Sequence, residues 1–200
     1  MEISADIVKD LRVKTGAGIM DCKEALKVAG GNFEKAIDFL REKGLSAATK
    51  KSSRATKDGL VTSYIHMGGK VGVMIEVNCE TDFVAKTEDF KTLTRDLAMH
   101  VAAMNPLYVK PEDVPEAALQ REKDIYRKQV IAEGKPEKIA DKIVEGKLKK
   151  YYEEVCLVKQ KFIKDTNQTV EDLIKAAIAK TGENILVKRF VRYQLGGDES

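Results

Sequence analysis

The sequence predicts an α+β protein. An N-terminal three-helix module is followed by a core with three strands, packing helices and a protruding helical hairpin. Three observations carry this. Apolar residues recur at helical spacing through residues 3–44. The period changes to two over residues 59–78, and the last ordered run, ILVKRFVRYQL, is rich in β-branched and aromatic residues. Between them, residues 116–155 form two charged helical patterns broken at Gly134-Lys135-Pro136.

In the module, residues 1–44, Ile3, Ile7, Val8 and Leu11 make one stripe behind a Ser4 N-cap. Gly16 and Gly18 break the chain, and Ile19, Cys22, Leu26 and Ala29 make a second stripe closed by Gly30-Gly31. Asn32 caps a third helix with Phe33, Ala36, Ile37 and Leu40 inside, which Gly44 is expected to stop. Three helices in so short a stretch make a very small core, suited to presenting a surface. Residues 45–57 read as a basic linker, and residues 58–200 as the α+β core.

In the core, Val71, Val73, Ile75 and Val77 point one way, with Gly68-Gly69 as the hairpin turn before them. Thr87 caps the next helix, in which Phe90, Leu93, Leu97, Val101 and Met104 mark the buried stripe. The three prolines of NPLYVKPEDVP make a surface loop. The helical hairpin carries Leu119, Ile125, Tyr126 and Val130 on one arm. Ile139, Ile143, Leu148, Tyr151 and Val155 serve the other. CLVKQKFIKD reads as extended, and Thr169 with Asp172 resembles a capping box opening a helix that runs to Lys180.

Composition excludes several classes. Apolar residues make up 43% and charged residues 34%, which fits an ordinary soluble globular chain. No apolar run reaches the roughly 20 residues of a membrane span, and the N-terminus has no secretory pattern. Three scattered cysteines, Cys22, Cys79 and Cys156, argue against a disulfide framework or a zinc site and for a reducing, cytoplasmic compartment. With 35 basic against 32 acidic residues, the overall field does not point to nucleic acid. Residues 41–57 are the basic exception. They suit phosphate or an acidic partner, but their composition favours a solvated linker.

Little supports an enzyme. His66 and His100 lack partners at metal-ligand spacing and read as surface or edge histidines. TGAG at 15–18 is a turn rather than a phosphate loop. The acid pairs Glu112-Asp113 and Glu153-Glu154 have no apolar setting. Cys79 reads as a buried thiol at a strand end. No catalytic residue, cofactor or metal is expected.

The stretch NCETDFVAK, residues 78–86, puts Phe83 at a strand–helix junction, off either repeating pattern. Two readings stand. Phe83 and Val84 act as a hydrophobic staple, the more ordinary one on pattern alone. Or Phe83 is an exposed wedge, oriented by Asp82, that enters a partner's pocket.

LRVKTGAGIMDCKEAL (11–26), EVNCETDFVA (76–85), AMHVAAMNPLYV (98–109) and IVEGKLKKYY (143–152) resemble, in order, the bacterial elongation factor Ts family. The resemblance implies a ubiquitin-associated-like module, an antiparallel sheet with helices, and a nucleotide exchange factor that releases GDP from elongation factor Tu. It implies that Thr81, Asp82, Phe83 and Val84 insert near the GTPase's magnesium and phosphate site. It implies further that Leu11, Arg12, Ile19, Met20 and Lys23 grip the nucleotide domain. His66 is similar to a family histidine that touches the partner and lies in the second core repeat of longer members. Against those members the chain shows one core unit and no C-terminal helical module. The expectation is a homodimer through the sheet, with no membrane or direct nucleic-acid partner. The competing readings are an RNA- or ribosome-binding accessory protein using the linker and helical hairpin, and a small enzyme centred on Cys79 or His66.

Overall fold

The computed structural model describes residues 3–197. The module comprises α1 (Ala5–Thr15), α2 (Ile19–Val28) and α3 (Phe33–Lys51). The Ser4 hydroxyl accepts from Ile7 N and the Asn32 side chain from Lys35 N, so both expected caps form. Leu11, Cys22, Ala25, Leu26 and Ala36 are the buried centre, with Phe33, Ile37 and Leu40 packed around them. Ile19 leaves the expected stripe and is exposed.

Gly44 does not stop α3. The helix continues to Lys51, so residues 45–51 of the expected linker are helical and only 52–57 connect to the first strand.

Strands β1 (Asp58–Ile65) and β2 (Val71–Cys79) form the expected hairpin, with Gly68 at φ 87° and Gly69 at φ 67° in its turn. Val73, Ile75, Val77 and Cys79 are buried on one face. A single helical turn, α4 (Asp82–Ala85), then precedes α5 (Glu88–Met104), whose first turn is capped where Phe90 N donates to the Thr87 hydroxyl. Phe90, Leu93, Leu97 and Val101 are buried, while Met104 is partly exposed.

The surface loop leads to α6 (Glu116–Ala132) and α7 (Glu137–Val155), the predicted helical pair. Its arms meet where Lys147 Nζ donates to Gln129 Oε1 at 3.1 Å and lies over the Tyr126 ring. Val130, Ala140, Val144 and Leu148 form the seam, whereas Ile125 and Ile139 face out, contrary to their predicted inward role. The predicted extended stretch at 156–165 is instead a 3₁₀ turn, Leu157–Lys159, before β3 (Lys161–Phe162), which pairs antiparallel with β4 (Asp165–Thr169). Helix α8 (Val170–Thr181) and β5 (Leu186–Gln194) complete the chain. The main sheet is antiparallel with strand order β1-β2-β5.

By contacts the chain divides into two units. The first holds the chain up to Val61, Glu76–Thr94 and Asp172–Leu186. The second holds Thr62–Ile75, Arg95–Glu171 and the chain from Val187 onward. In the first unit α3 passes close to α8: a Cβ on Gly44 would lie 3.0 Å from the Ala179 Cβ. Gly44 is therefore the residue that lets two helices approach, and tertiary packing outweighs its poor helix propensity.

Candidate functional site

Phe83 is 80% exposed. The α4 turn explains why. Ala85 is buried and anchors the turn. At 3.6 residues per turn, a residue two positions before it lies about 200° away around the axis, so Phe83 points outward. That exposure overturns the staple reading for Phe83, whose ring stays largely in water. Val84 is half-buried.

The turn is braced at both ends. At its start, Glu183 Oε2 accepts from Glu80 N (3.1 Å) and Thr81 N (3.0 Å), and Thr81 Oγ1 donates to Glu183 Oε1 (2.6 Å). Within it, Lys86 Nζ pairs with Asp82 Oδ2 at 2.5 Å. That hydrogen bond holds the Asp82 carboxyl below its ordinary value and raises the lysine. At its end, Lys86 N and Thr87 N donate to Asp82 O and Val84 O. Asp82 and Lys86 are thus tied to each other across the turn.

In the module, Arg12, Ile19, Met20 and Lys23 are exposed, with Met20 at 76%. Positions 19, 20 and 23 share a face of α2 by their spacing of three and four. The acids Asp21 and Glu24 point elsewhere and hold Lys43 at 2.9 and 2.6 Å. Leu11 differs: it is 0% exposed and belongs to the module's core, so its side chain has no surface to offer a partner. Val13, next to Arg12, is exposed and apolar, and sequence reasoning missed it. The available signal was that Val13 falls off the stripe of Ile3, Ile7, Val8 and Leu11.

His66 is exposed beside the hairpin turn, its Nδ1 3.1 Å from the Tyr64 hydroxyl. His100 corrects the surface expectation. It is 0% exposed, with Nδ1 accepting from Ile163 N at 3.2 Å, so the proton sits on Nε2, which donates to Gln160 Oε1 at 3.0 Å. Burial pushes its pKa down. Cys79 is fully buried, and burial, with the nearby Glu183 and Asp58 charges, raises its thiol to about 11. That leaves almost no thiolate near neutral pH, which removes Cys79 as a nucleophile. Among the described residues no group of three or more His, Cys, Asp or Glu could hold a metal ion. No helix there is long and apolar enough to cross a membrane.

A family model described as "Elongation factor TS" matches residues 25–197. The elongation factor Ts of Syntrophus aciditrophicus is 68% identical over 196 residues, covering 98% of each chain. That of Desulfosudis oleivorans is 57% identical over 194 residues, covering 97% of this chain and 98% of its own. That of Fervidobacterium nodosum is 57% identical over 196 residues, covering 98% of this chain and all of its own. Identity at this level across whole chains, on a fold with an exposed ring at the Thr81–Val84 turn, admits one conclusion: the chain belongs to the elongation factor Ts family.

Proposed function

We propose that this chain performs guanine nucleotide exchange on elongation factor Tu by inserting the Thr81–Val84 turn near the GTPase's magnesium and phosphate site. Arg12, Ile19, Met20 and Lys23 of the module grip the nucleotide domain. The observation that carries the reading is the outward Phe83 ring on a turn braced at both ends. A ring left in water forgoes roughly 1.5–3 kcal/mol of burial that a partner's pocket can recover. Stiff support lets that free energy displace groups in the partner rather than bend the turn.

The chemistry is linkage. A factor that binds the nucleotide-free GTPase more tightly than the GDP-bound form weakens GDP by the same ratio. Magnesium and backbone amides hold the diphosphate, so shifting them removes its strongest contacts. No covalent bond changes, so the chain acts as a binding protein and needs neither cofactor nor metal. The setting is the cytoplasm, and the chain works as a homodimer joined through its sheet.

Phe83→Ala tests this. Release of a fluorescent GDP from elongation factor Tu, followed by stopped flow, is expected to slow by about tenfold or more, the scale of an interface hot spot. Thermal stability is expected to hold, because the ring is already in water. Release at the wild-type rate would overturn the reading.

A further inference from the structure

The α4 turn cannot hold itself. Four residues are far below the length at which a helix is stable alone. Thr81 stands at its N-cap position, yet its side chain caps no N–H of the turn. The hydroxyl is donated instead to Glu183, more than a hundred positions along the chain. The same carboxylate takes the N–H groups of Glu80 and Thr81, so three donors from two consecutive residues converge on one side chain. Bonds to an ionised acceptor are about twice as strong as neutral ones.

The arrangement is reciprocal. Glu80 Oε1 accepts from Asn184 N at 2.6 Å, so each segment's acid takes the other's backbone amide. Arg54 Nη1, 3.5 Å from Glu80 Oε1, offsets the two negative charges. Asn184, only 3% exposed, donates its side-chain amide to Ser52 O and Arg54 O at 3.3 and 2.8 Å. Three segments therefore meet in one knot: 52–54, which leaves α3 of the module; 80–81, which opens the Phe83 turn; and 183–184, between α8 and β5.

We propose that Glu183 is a positioning residue for nucleotide exchange: by clamping Glu80 and Thr81, it fixes the direction in which Phe83 is presented. Asn184 and Arg54 join that direction to the end of the module. This rests on the exchange reading above and adds to it. Insertion requires the clamp, and a ring on an unclamped turn finds its pocket at a lower rate.

The test is a cycle of full-length variants, Phe83→Ala, Glu183→Ala and the double variant, in GDP release across factor concentrations. The expected result is a plateau rate about tenfold lower for Glu183→Ala, with the half-saturating concentration changed less than twofold because the module still grips. In the Phe83→Ala background, Glu183→Ala is expected to have no further effect. Glu183→Gln is expected to stay within about threefold of wild type. Its amide oxygen can take both N–H groups and its amide nitrogen can donate to the Thr81 hydroxyl. Should Glu183→Ala fail to fold by circular dichroism, Glu183→Asp, whose shorter side chain draws the carboxylate back from the three donors, is read in its place. It is expected to lower the plateau rate in the wild-type background and to have no effect in the Phe83→Ala background, and equal rates in the wild-type background refute the clamp. Phe83→Ala at the wild-type rate refutes the exchange reading. Phe83→Ala slow with Glu183→Ala at the wild-type rate, or Glu183→Ala slowing both backgrounds equally, refutes the clamp alone.

Discussion

At the scale of the residue, Phe83 and His100 exchange the places their chemistry would suggest: the ring is in water and the imidazole is sealed. His100 stacks on Phe162 with ring centroids 5.9 Å apart and satisfies both nitrogens. Its pKa lies below the ordinary 6.5 because burial disfavours the charged form, against a smaller opposing effect of the Gln160 bond. The unfolded chain then binds more protons than the folded one. This contribution to stability is complete above about 6.5 and is lost as pH falls through the folded value. Protonating Nδ1 also removes the acceptor for Ile163 N. We expect His100→Gln to cost roughly 1–3 kcal/mol near neutral pH. The gap between wild type and variant, read from urea unfolding, is expected to narrow as pH falls below about 6.5. A gap independent of pH would contradict the assignment. The sequence placed His100 on a helix but could not seal it, because its partners, Gln160 and Ile163, lie about sixty positions on.

At the scale of the element, the informative departure is α3. Gly44 carries the helix past its expected stop, and its missing Cβ accommodates α8. Ion pairs flank the same neighbourhood, Arg41 with Asp172 at 3.7 Å and Lys180 with Asp89 at 2.7 Å, but all except the half-buried Asp172 are solvent-exposed, and each pair is worth little. Steric fit between the helices decides the matter. Gly44→Val is expected to destabilise by about 1–3 kcal/mol through overpacking. A thermal melt with an unchanged midpoint would show that the helices can part at no cost. Most other elements were legible, but the 3₁₀ turn Leu157–Lys159 and the β3–β4 pair were not. Helical stripes, the two-residue period of β2, the Gly68-Gly69 turn and the Ser4, Asn32 and Thr87 caps are local patterns, and each produced its element. The α4 turn was not legible, because a single turn has no period to read. Sequence therefore located the Phe83 motif but left its staple and wedge readings open.

At the scale of the whole molecule, the proposed homodimer depends on one face of the sheet. Arg192 Nε donates to Ala102 O, so Arg192 faces α5, and alternation turns Val191 and Tyr193 to the other side. Met74 is exposed on β2. Ile65 lies over Gly72, two residues before it, since a Cβ there would come within 2.9 Å of Ile65 Cδ1. Ile65, Val191 and Tyr193 are exposed as well, and exposed apolar side chains on one sheet face promote association. Met74→Lys combined with Tyr193→Asp is expected to give a monomer by light scattering at micromolar concentration. A wild-type monomer would remove the proposal.

The amino-acid sequence alone determined the α+β class, the three-helix module, the hairpins and the motif that carries Phe83, since these follow from periods, caps and turns within a few neighbouring residues. Tertiary structure alone decided that His100 is sealed, that Gly44 is a contact rather than a stop, and that Glu183 holds the exposed turn. Each of these depends on which distant segment arrives beside it, and local pattern carries no term for pairs a hundred residues apart.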